Sequence, residues 1–216
     1  MDHLDISYNA KRMLVVTGCP SYDIKILDLE NYETLNVEKI PTPKKLKMIK
    51  YNPSTVDMFA VMTDDELIIY ELDKSYEIGD EMVGDVQNLI KIRSRNYGQG
   101  GEEDNQFTFL AWQVDNMIFL GNVTGNLIVL NALSFEVMSQ LHVFSTIQFI
   151  MPTPKHLIVI NKSNKIEFYE MDDTCKFSKS EPDKEYYFKN GTINQIFYNE
   201  PLQDMIVGVQ NGEIYS

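Results

Sequence analysis

The chain has 216 residues, of which 44% are hydrophobic and 24% charged, and its formal net charge at pH 7 is −13. This composition is typical of a globular protein with a hydrophobic core and excludes a disordered chain. Because the acidic excess repels phosphate groups, we expect neither nucleic acid nor an anionic membrane surface as a partner. No apolar run approaches the length of a membrane span.

The cysteines and the N-terminus indicate the compartment. Cys19 and Cys175 are far apart and have no metal-ligand spacing, so we predict no metal site and no other cofactor. The first residues, Met1–Asp5, are acidic and have no apolar segment, which argues against a secretory signal. We therefore expect a reducing, cytoplasmic environment.

Short apolar runs separated by turn residues follow one another from Met13 to the last residue. The clearest group lies between Leu110 and Leu141, where four runs alternate with three turns. Each run is too short for a helix and is bounded by turn residues, which predicts a strand. Four strands joined by tight turns form an antiparallel meander, which is the unit of a β-propeller blade.

The meander recurs, and we predict an all-β fold with blades at 13–40, 46–92, 107–141, 146–188 and 192–216, and a mobile loop at 94–106. The third strands of successive blades are separated by 43, 60, 39 and 48 residues. WD-repeat propellers have about 40–45 residues per blade, and the glycine-rich loop accounts for the longest spacing. The prediction is a single WD40-like β-propeller region of four to five blades over residues 1–216.

Both ends of this predicted region are incomplete. The first blade lacks its early strands, and the last one stops after three. Because open ends expose strand edges and apolar faces, we expect an incomplete propeller from a longer protein, or a second chain that covers the open sides. Within the last blade, Asn211-Gly212 predicts a type I′ hairpin turn.

The third strands lack the Trp-Asp pair of strong WD repeats. The pairs in its place are Leu27-Asp28, Tyr70-Glu71, Leu130-Asn131 and Tyr169-Glu170. The hydrogen-bond network that this pair supports in strong repeats is therefore not expected here.

Four stretches, in matching order, resemble the WD-repeat region of the large cilia- and flagella-associated proteins of the axoneme. They are Leu14–Tyr22 with Ile24–Ile26, then Met48–Pro53, then Leu110–Leu127, and Ile193–Tyr215. Leu27 stands near the position where the family has Trp in the first stretch.

The resemblance implies a non-catalytic interaction scaffold in the ciliary or flagellar axoneme, near the inner dynein arms and their tether and regulatory complexes. Its partners would be other axonemal proteins, such as dynein-arm or tether components and a coiled-coil or WD-repeat protein. Two alternatives are a cytoplasmic WD-repeat adaptor outside cilia and, less favoured by the sequence, a propeller-fold hydrolase.

Individual residues support interaction more than catalysis. His3, His142 and His156 are isolated in the sequence, so we predict no nucleophile–base pair and no catalytic residue. Trp112 is expected in the core between blades rather than at an exposed binding site. The candidate interaction residues lie in polar connections between strands. The alternative interpretation is that their charges are solvated turn charges without a binding role. The candidates are Asp64, Asp65, Glu66, Tyr97, Glu102, Glu103, Asp172 and Asp173.

Overall fold

The computed structural model describes residues 3–17, 23–39, 46–64, 66–72, 89–96, 106–113, 116–199, 202 and 204–216. These residues form five antiparallel sheets, within which the strands are neighbours in chain order. The elements of this part of the chain are strands, and none of them is a helix that could span a membrane.

The sheets are named blades 1 to 5 in chain order. Blade 1 contains β1 (His3–Ile6), β2 (Arg12–Thr17), β3 (Asp23–Asp28) and β4 (Thr34–Lys39). Blade 2 contains β5 (Leu46–Tyr51), β6 (Met58–Thr63), β7 (Glu66–Leu72) and β8 (Leu89–Asn96). Blade 3 contains β9 (Phe107–Gln113), β10 (Met117–Asn122), β11 (Asn126–Asn131) and β12 (Val137–His142). Blade 4 contains β13 (Ile147–Pro152), β14 (His156–Asn161), β15 (Lys165–Glu170) and β16 (Lys184–Tyr187). Blade 5 contains β17 (Ile193–Asn199), β18 (Asp204–Val209) and β19 (Ile214–Tyr215).

Successive blades pack face to face, with a hydrophobic core at each contact. Blade 1 packs on blade 2, blade 2 on blade 3, blade 3 on blade 4 and blade 4 on blade 5. The first strands of blades 1 to 4 lie beside one another on the inside of the arrangement. The predicted all-β, WD40-like propeller is confirmed, with five blades. Trp112, which is 9% exposed, lies in the core between blades 2 and 3, as predicted.

A β-bulge recurs in the first strands of blades 2 to 5. Each of these strands begins with a buried apolar residue, Leu46, Phe107, Ile147 or Ile193. The next residue is the extra one of the bulge: Lys47, Thr108, Gln148 or Asn194. In blades 2 to 4 the bulge residue is followed by a second apolar residue, whereas in blade 5 it is followed by Gln195. A bulge bends its strand locally and re-aims the side chain of the extra residue, which is polar in all four strands. The pair of a buried apolar residue and a polar bulge residue at the start of these strands is therefore a repeat signal in the sequence. The pattern of short apolar runs alone did not reveal it.

The antiparallel order divides the connections between two edges of the propeller. We define the upper edge as the one that carries the turns from the second to the third strand of each blade and the connections from one blade to the next. The lower edge carries the turns from the first to the second strand and from the third to the fourth. Asn122 to Asn126 is an upper turn and Asn131 to Glu136 a lower one.

Three sequence expectations are corrected. Blade 1 does not lack its early strands, since His3–Ile6 forms β1; four residues with two apolar positions were too short a signal. Ser94–Asn96 ends β8 and is not part of a loop, because it pairs with β7. The turn at Asn211 is not type I′, since Gly212 has a φ of 88° and Asn211 is not among the residues with positive φ.

Candidate interaction surface

The connection from β12 to β13 presents an aromatic side chain at the upper edge. Phe144 is 94% exposed, yet the backbone on both sides of it is held in place. The Val143 amide donates to the Gly125 carbonyl at 2.8 Å, and the Thr146 hydroxyl donates to the Val123 carbonyl at 2.7 Å. The connection is therefore fastened to the turn of its own blade, and Phe144 is presented in a fixed position.

The sequence of the upper turn explains why the connection docks there. The Asn122 side-chain oxygen accepts hydrogen bonds from the amides of Thr124 and Asn126, which closes the turn locally. Gly125 has a φ of 86°, and a Cβ on it would lie 1.8 Å from the Val143 carbonyl oxygen. Only glycine permits this close approach of the two backbones.

A cavity of about 450 Å³ lies beside the exposed aromatic residue. The residues that line it come from blade 3 and are Phe107, Asn122, Asn126, Leu127, Ile128, Gln140, Leu141 and His142. His142 contacts Asn126 through Nδ1 and Oδ1 at 2.9 Å, and its ring lies edge-on to Phe144 with the centroids 5.8 Å apart. The site thus combines an apolar projection, a half-open cavity and polar groups at its rim.

Two of the predicted interaction residues, Asp64 and Glu66, lie at the same upper edge, in and beside the turn between β6 and β7. Asp64 forms an ion pair with Lys47 at 2.7 Å, and its carbonyl accepts from the Phe107 amide. Glu66 starts β7, and its amide donates to the Thr63 hydroxyl at 3.0 Å. These groups stabilise the β6–β7 turn and its contact with blade 3.

Asp172 and Asp173 lie at the opposite, lower edge, after β15. The Asp172 carboxylate accepts from the amides of Thr174 and Lys176, at 2.8 and 2.9 Å. These hydrogen bonds, led by the one from Lys176, lower the pKa of Asp172 below its usual value of 3.8. Asp172 therefore closes its own loop, as expected of a turn carboxylate, and both Asp172 and Asp173 are exposed.

The predicted residues therefore do not form one cluster. Asp64 and Glu66 lie at one edge, and Asp172 and Asp173 lie at the other. The remaining four, Asp65, Tyr97, Glu102 and Glu103, are outside the described residues.

The histidines lie on separate blades. His3 is in blade 1, His142 ends β12 in blade 3, and His156 begins β14 in blade 4. In the described ranges, no three His, Cys, Asp or Glu side chains are grouped so that they could hold a metal ion.

Sequence reasoning missed Phe144, which is the most exposed of the large hydrophobic residues described. The available signal was weak, namely an aromatic residue between two strand patterns, flanked by Val143 and Ser145. Without the fold, Phe144 could equally have been the last buried residue of the preceding strand.

Solved structures with a similar fold were found, whereas no protein-family model and no curated protein matches the chain. One is a chain in the crystal structure of the mitotic checkpoint complex, with a TM-score of 0.70 and 11% identity, covering 97% of this chain and 59% of that one. Another is the Cps50 (Swd1) β-propeller domain of Myceliophteria thermophila, with a TM-score of 0.70 and 12% identity, covering 100% of this chain and 72% of that one. This chain spans less than two thirds of the first of these structures. Because the sequence identities are only 11% and 12%, and because 1278 solved chains match, the structural likeness shows the fold and does not indicate a function.

Proposed function

We propose that the protein is a non-catalytic interaction scaffold that docks a partner protein at the upper edge of blade 3. The observation that carries this proposal is Phe144, an almost fully exposed aromatic side chain on a backbone fixed by hydrogen bonds to Val123 and Gly125. A fixed aromatic group loses little conformational entropy when it is buried, which makes it an efficient anchor for a partner.

The surroundings of Phe144 fit a protein partner. The neighbouring cavity gives room for an apolar side chain of the partner, while His142 and Asn126 supply hydrogen-bonding groups at its rim. An apolar centre with a polar rim is the usual composition of a protein interface. The Gly125 turn and the bulged strand β9 hold this surface on the rigid part of blade 3.

For the cellular setting we propose the axoneme of a cilium or flagellum, near the inner dynein arms. The support is the order of the four sequence stretches that resemble axonemal WD-repeat proteins. The partners would then be dynein-arm or tether components, or a coiled-coil or WD-repeat protein beside them. A cytoplasmic WD-repeat adaptor outside cilia is the alternative setting for the same docking surface.

The experiment compares three tagged forms of the protein in ciliated cells: wild type, Phe144→Ser and Leu133→Ser. Leu133 is the matched control, because it is an exposed apolar residue on a lower-edge loop of the same blade. Imaging of the wild type locates the protein, and quantitative mass spectrometry identifies the proteins that each form captures.

We expect the wild type along the axoneme, together with an axonemal protein whose capture falls at least about tenfold in Phe144→Ser, as for a central anchor residue. The Leu133→Ser form should retain that protein. Diffuse cytoplasmic localisation would favour the adaptor, and equal capture by all three forms would overturn the docking site.

A further inference from the structure

The outer strand of blade 3 differs in composition from the outer strands of the other blades. Its sequence, VMSQLH, contains no Lys, Arg, Asp or Glu. The outer strands β4, β8 and β16 of blades 1, 2 and 4 each contain at least two charged residues. Charged side chains, above all lysine, keep an edge strand from pairing with another chain. Among the outer strands that the structure describes, β12 is therefore the one whose edge is not protected by charge.

The hydrogen-bond pattern determines which backbone groups of β12 point outward. The Val143 amide donates to the Gly125 carbonyl at 2.8 Å, so these two residues form a hydrogen-bonded pair. Along an antiparallel ladder, hydrogen-bonded and non-hydrogen-bonded pairs alternate. By the register with β11, Leu141 is therefore at a bonded position, and Gln140 and His142 are at non-bonded positions. The N–H and C=O groups of Gln140 and His142 point away from β11.

Within the described ranges, no strand lies beside these outward groups. β12 is at the end of the strand order of its sheet and pairs with β11 alone. A β-bulge at Met138 interrupts the lower end of the strand, so the regular open edge runs from Ser139 to His142. Gln140 and His142 thus offer N–H donors and C=O acceptors in the arrangement that a further strand pairs with.

The cavity next to Phe144 lies on the side of β12 where an added strand would place side chains. Gln140 and His142 both line this cavity, and its apolar lining includes Phe107 and Ile128. Residues that lie opposite each other in an antiparallel pair have their side chains on the same face of the sheet. The residues of an added strand that pair with Gln140 and His142 would therefore direct their side chains toward the cavity.

The β12 strand of a second copy does not match this cavity. The outward backbone groups of that copy would again be those of Gln140 and His142, so their side chains would be brought to the cavity. Both side chains are polar and exposed, and the pairing would place them against Phe107 and Ile128. A segment of a different protein, with apolar residues at alternate positions, would fill the cavity instead.

We propose that the segment bound by blade 3 is an extended peptide of a partner protein, which pairs antiparallel to β12 as a fifth strand of the blade. Its backbone bonds to Gln140 and His142, and one of its apolar side chains lies in the cavity beside Phe144. The main-chain hydrogen bonds provide affinity, and the cavity selects the side chain. The proposal rests on the proposed function, because it specifies the kind of segment that docks at that surface.

The probe for the test is a library of random linear peptides displayed on phage and selected on the full chain. Selected peptides are synthesised, and fluorescence anisotropy measures their affinity for the wild type and for variants. Gln140→Pro removes an outward N–H and leaves the ladder with β11 in place, because proline is tolerated on the free side of an edge strand. Gln140→Ala is the matched control, since it truncates the same side chain and keeps the N–H. The emission of the single tryptophan, Trp112, reports that each variant is folded.

We expect the selected peptides to have apolar residues at alternate positions. Gln140→Pro should weaken their binding at least about tenfold, because a hydrogen bond is lost and a peptide carbonyl is left without a partner. Gln140→Ala should bind them as the wild type does. N-methylation of the peptide backbone should abolish binding at the residues that pair with Gln140 and His142, and not at the residue between them. This last measurement needs no change in the protein.

Phe144→Ser separates this proposal from the proposed function. Peptides that lose affinity for Phe144→Ser but not for Gln140→Pro would retain the docking site and overturn the strand pairing. The reverse result would retain the strand pairing and overturn Phe144 as the anchor. A selection that yields no binder overturns the peptide as the occupant. A wild-type dimer that Gln140→Pro converts to a monomer in sedimentation velocity would assign the edge to a second copy and overturn it as well.

Discussion

Lys165 donates a hydrogen bond to the carboxylate of Glu167 at 2.7 Å, and the same ammonium group pairs with Glu185 at 2.7 Å. Glu167 is only 3% exposed, although it is charged. The hydrogen bonds to Glu167 and then to Glu185 raise the pKa of Lys165 above its usual value. The Lys165 ammonium also lies 5.7 Å from the ring centroid of Tyr187. An ionic cluster thus joins β15 and β16 of blade 4.

We predict that Lys165→Met lowers the free energy of unfolding by about 3 kcal/mol, because it leaves the Glu167 carboxylate buried without a cation. The double variant Lys165→Met/Glu167→Leu should recover most of this loss, since no buried charge remains. Urea denaturation measures both values. Lys162→Met, on an exposed position of the preceding turn, is the control and should unfold as the wild type does.

The substitutions Gly125→Ala and Gly212→Ala form a matched pair that tests the close approach of two backbones at Gly125. Both glycines have a φ near 87°, at 86° and 88°, but an added Cβ meets the Val143 carbonyl oxygen at Gly125 and nothing within 4 Å at Gly212. We expect Gly212→Ala to cost about 1 kcal/mol for the left-handed backbone alone, and Gly125→Ala about 3 kcal/mol because the clash is added. Thermal unfolding of the two variants measures the difference, and equal losses would contradict the close approach.

Trp112→Ala should destabilise the protein by about 4 kcal/mol, because it leaves a large cavity in the core between blades 2 and 3. Phe144→Ala removes an aromatic ring of similar kind from the surface and should change stability by less than about 0.5 kcal/mol. Denaturation followed by circular dichroism compares the two variants. A large loss for Phe144→Ala would mean that its ring stabilises the fold and is not free to anchor a partner.

Asp172 makes stability depend on pH. Its pKa in the folded state is below the usual 3.8, so ionised Asp172 contributes stability above pH 3.8, and the contribution is lost as the pH falls through the folded-state pKa. Asp172→Asn keeps an acceptor oxygen but not the charge. We expect the variant to be less stable than the wild type at pH 7, and the difference to vanish below the folded-state pKa. A difference that is constant with pH would show that the charge has no part in closing the loop.

The strands of blade 3 were predictable because their apolar runs are separated by strong turn signals, such as Thr124-Gly125-Asn126. The strand His3–Ile6 was not, because its burial depends on pairing with β2 and not on its own composition. Among the site residues, Asp64 and Asp172 were predicted from the sequence to lie in turns. Their partners, Lys47 and the Lys176 amide, were not predicted, because the backbone geometry decides which groups come within hydrogen-bond distance.

The sequence by itself determined the all-β class and the repeat, because short apolar runs and turn-forming residues act locally, within one hairpin. It did not determine which side chains are exposed between blades. Phe135 and Tyr32 stand in equivalent loops with the same backbone angle, and one is buried while the other is 90% exposed. The tertiary structure decides this difference, because burial depends on whether a neighbouring sheet lies against the face that carries the residue.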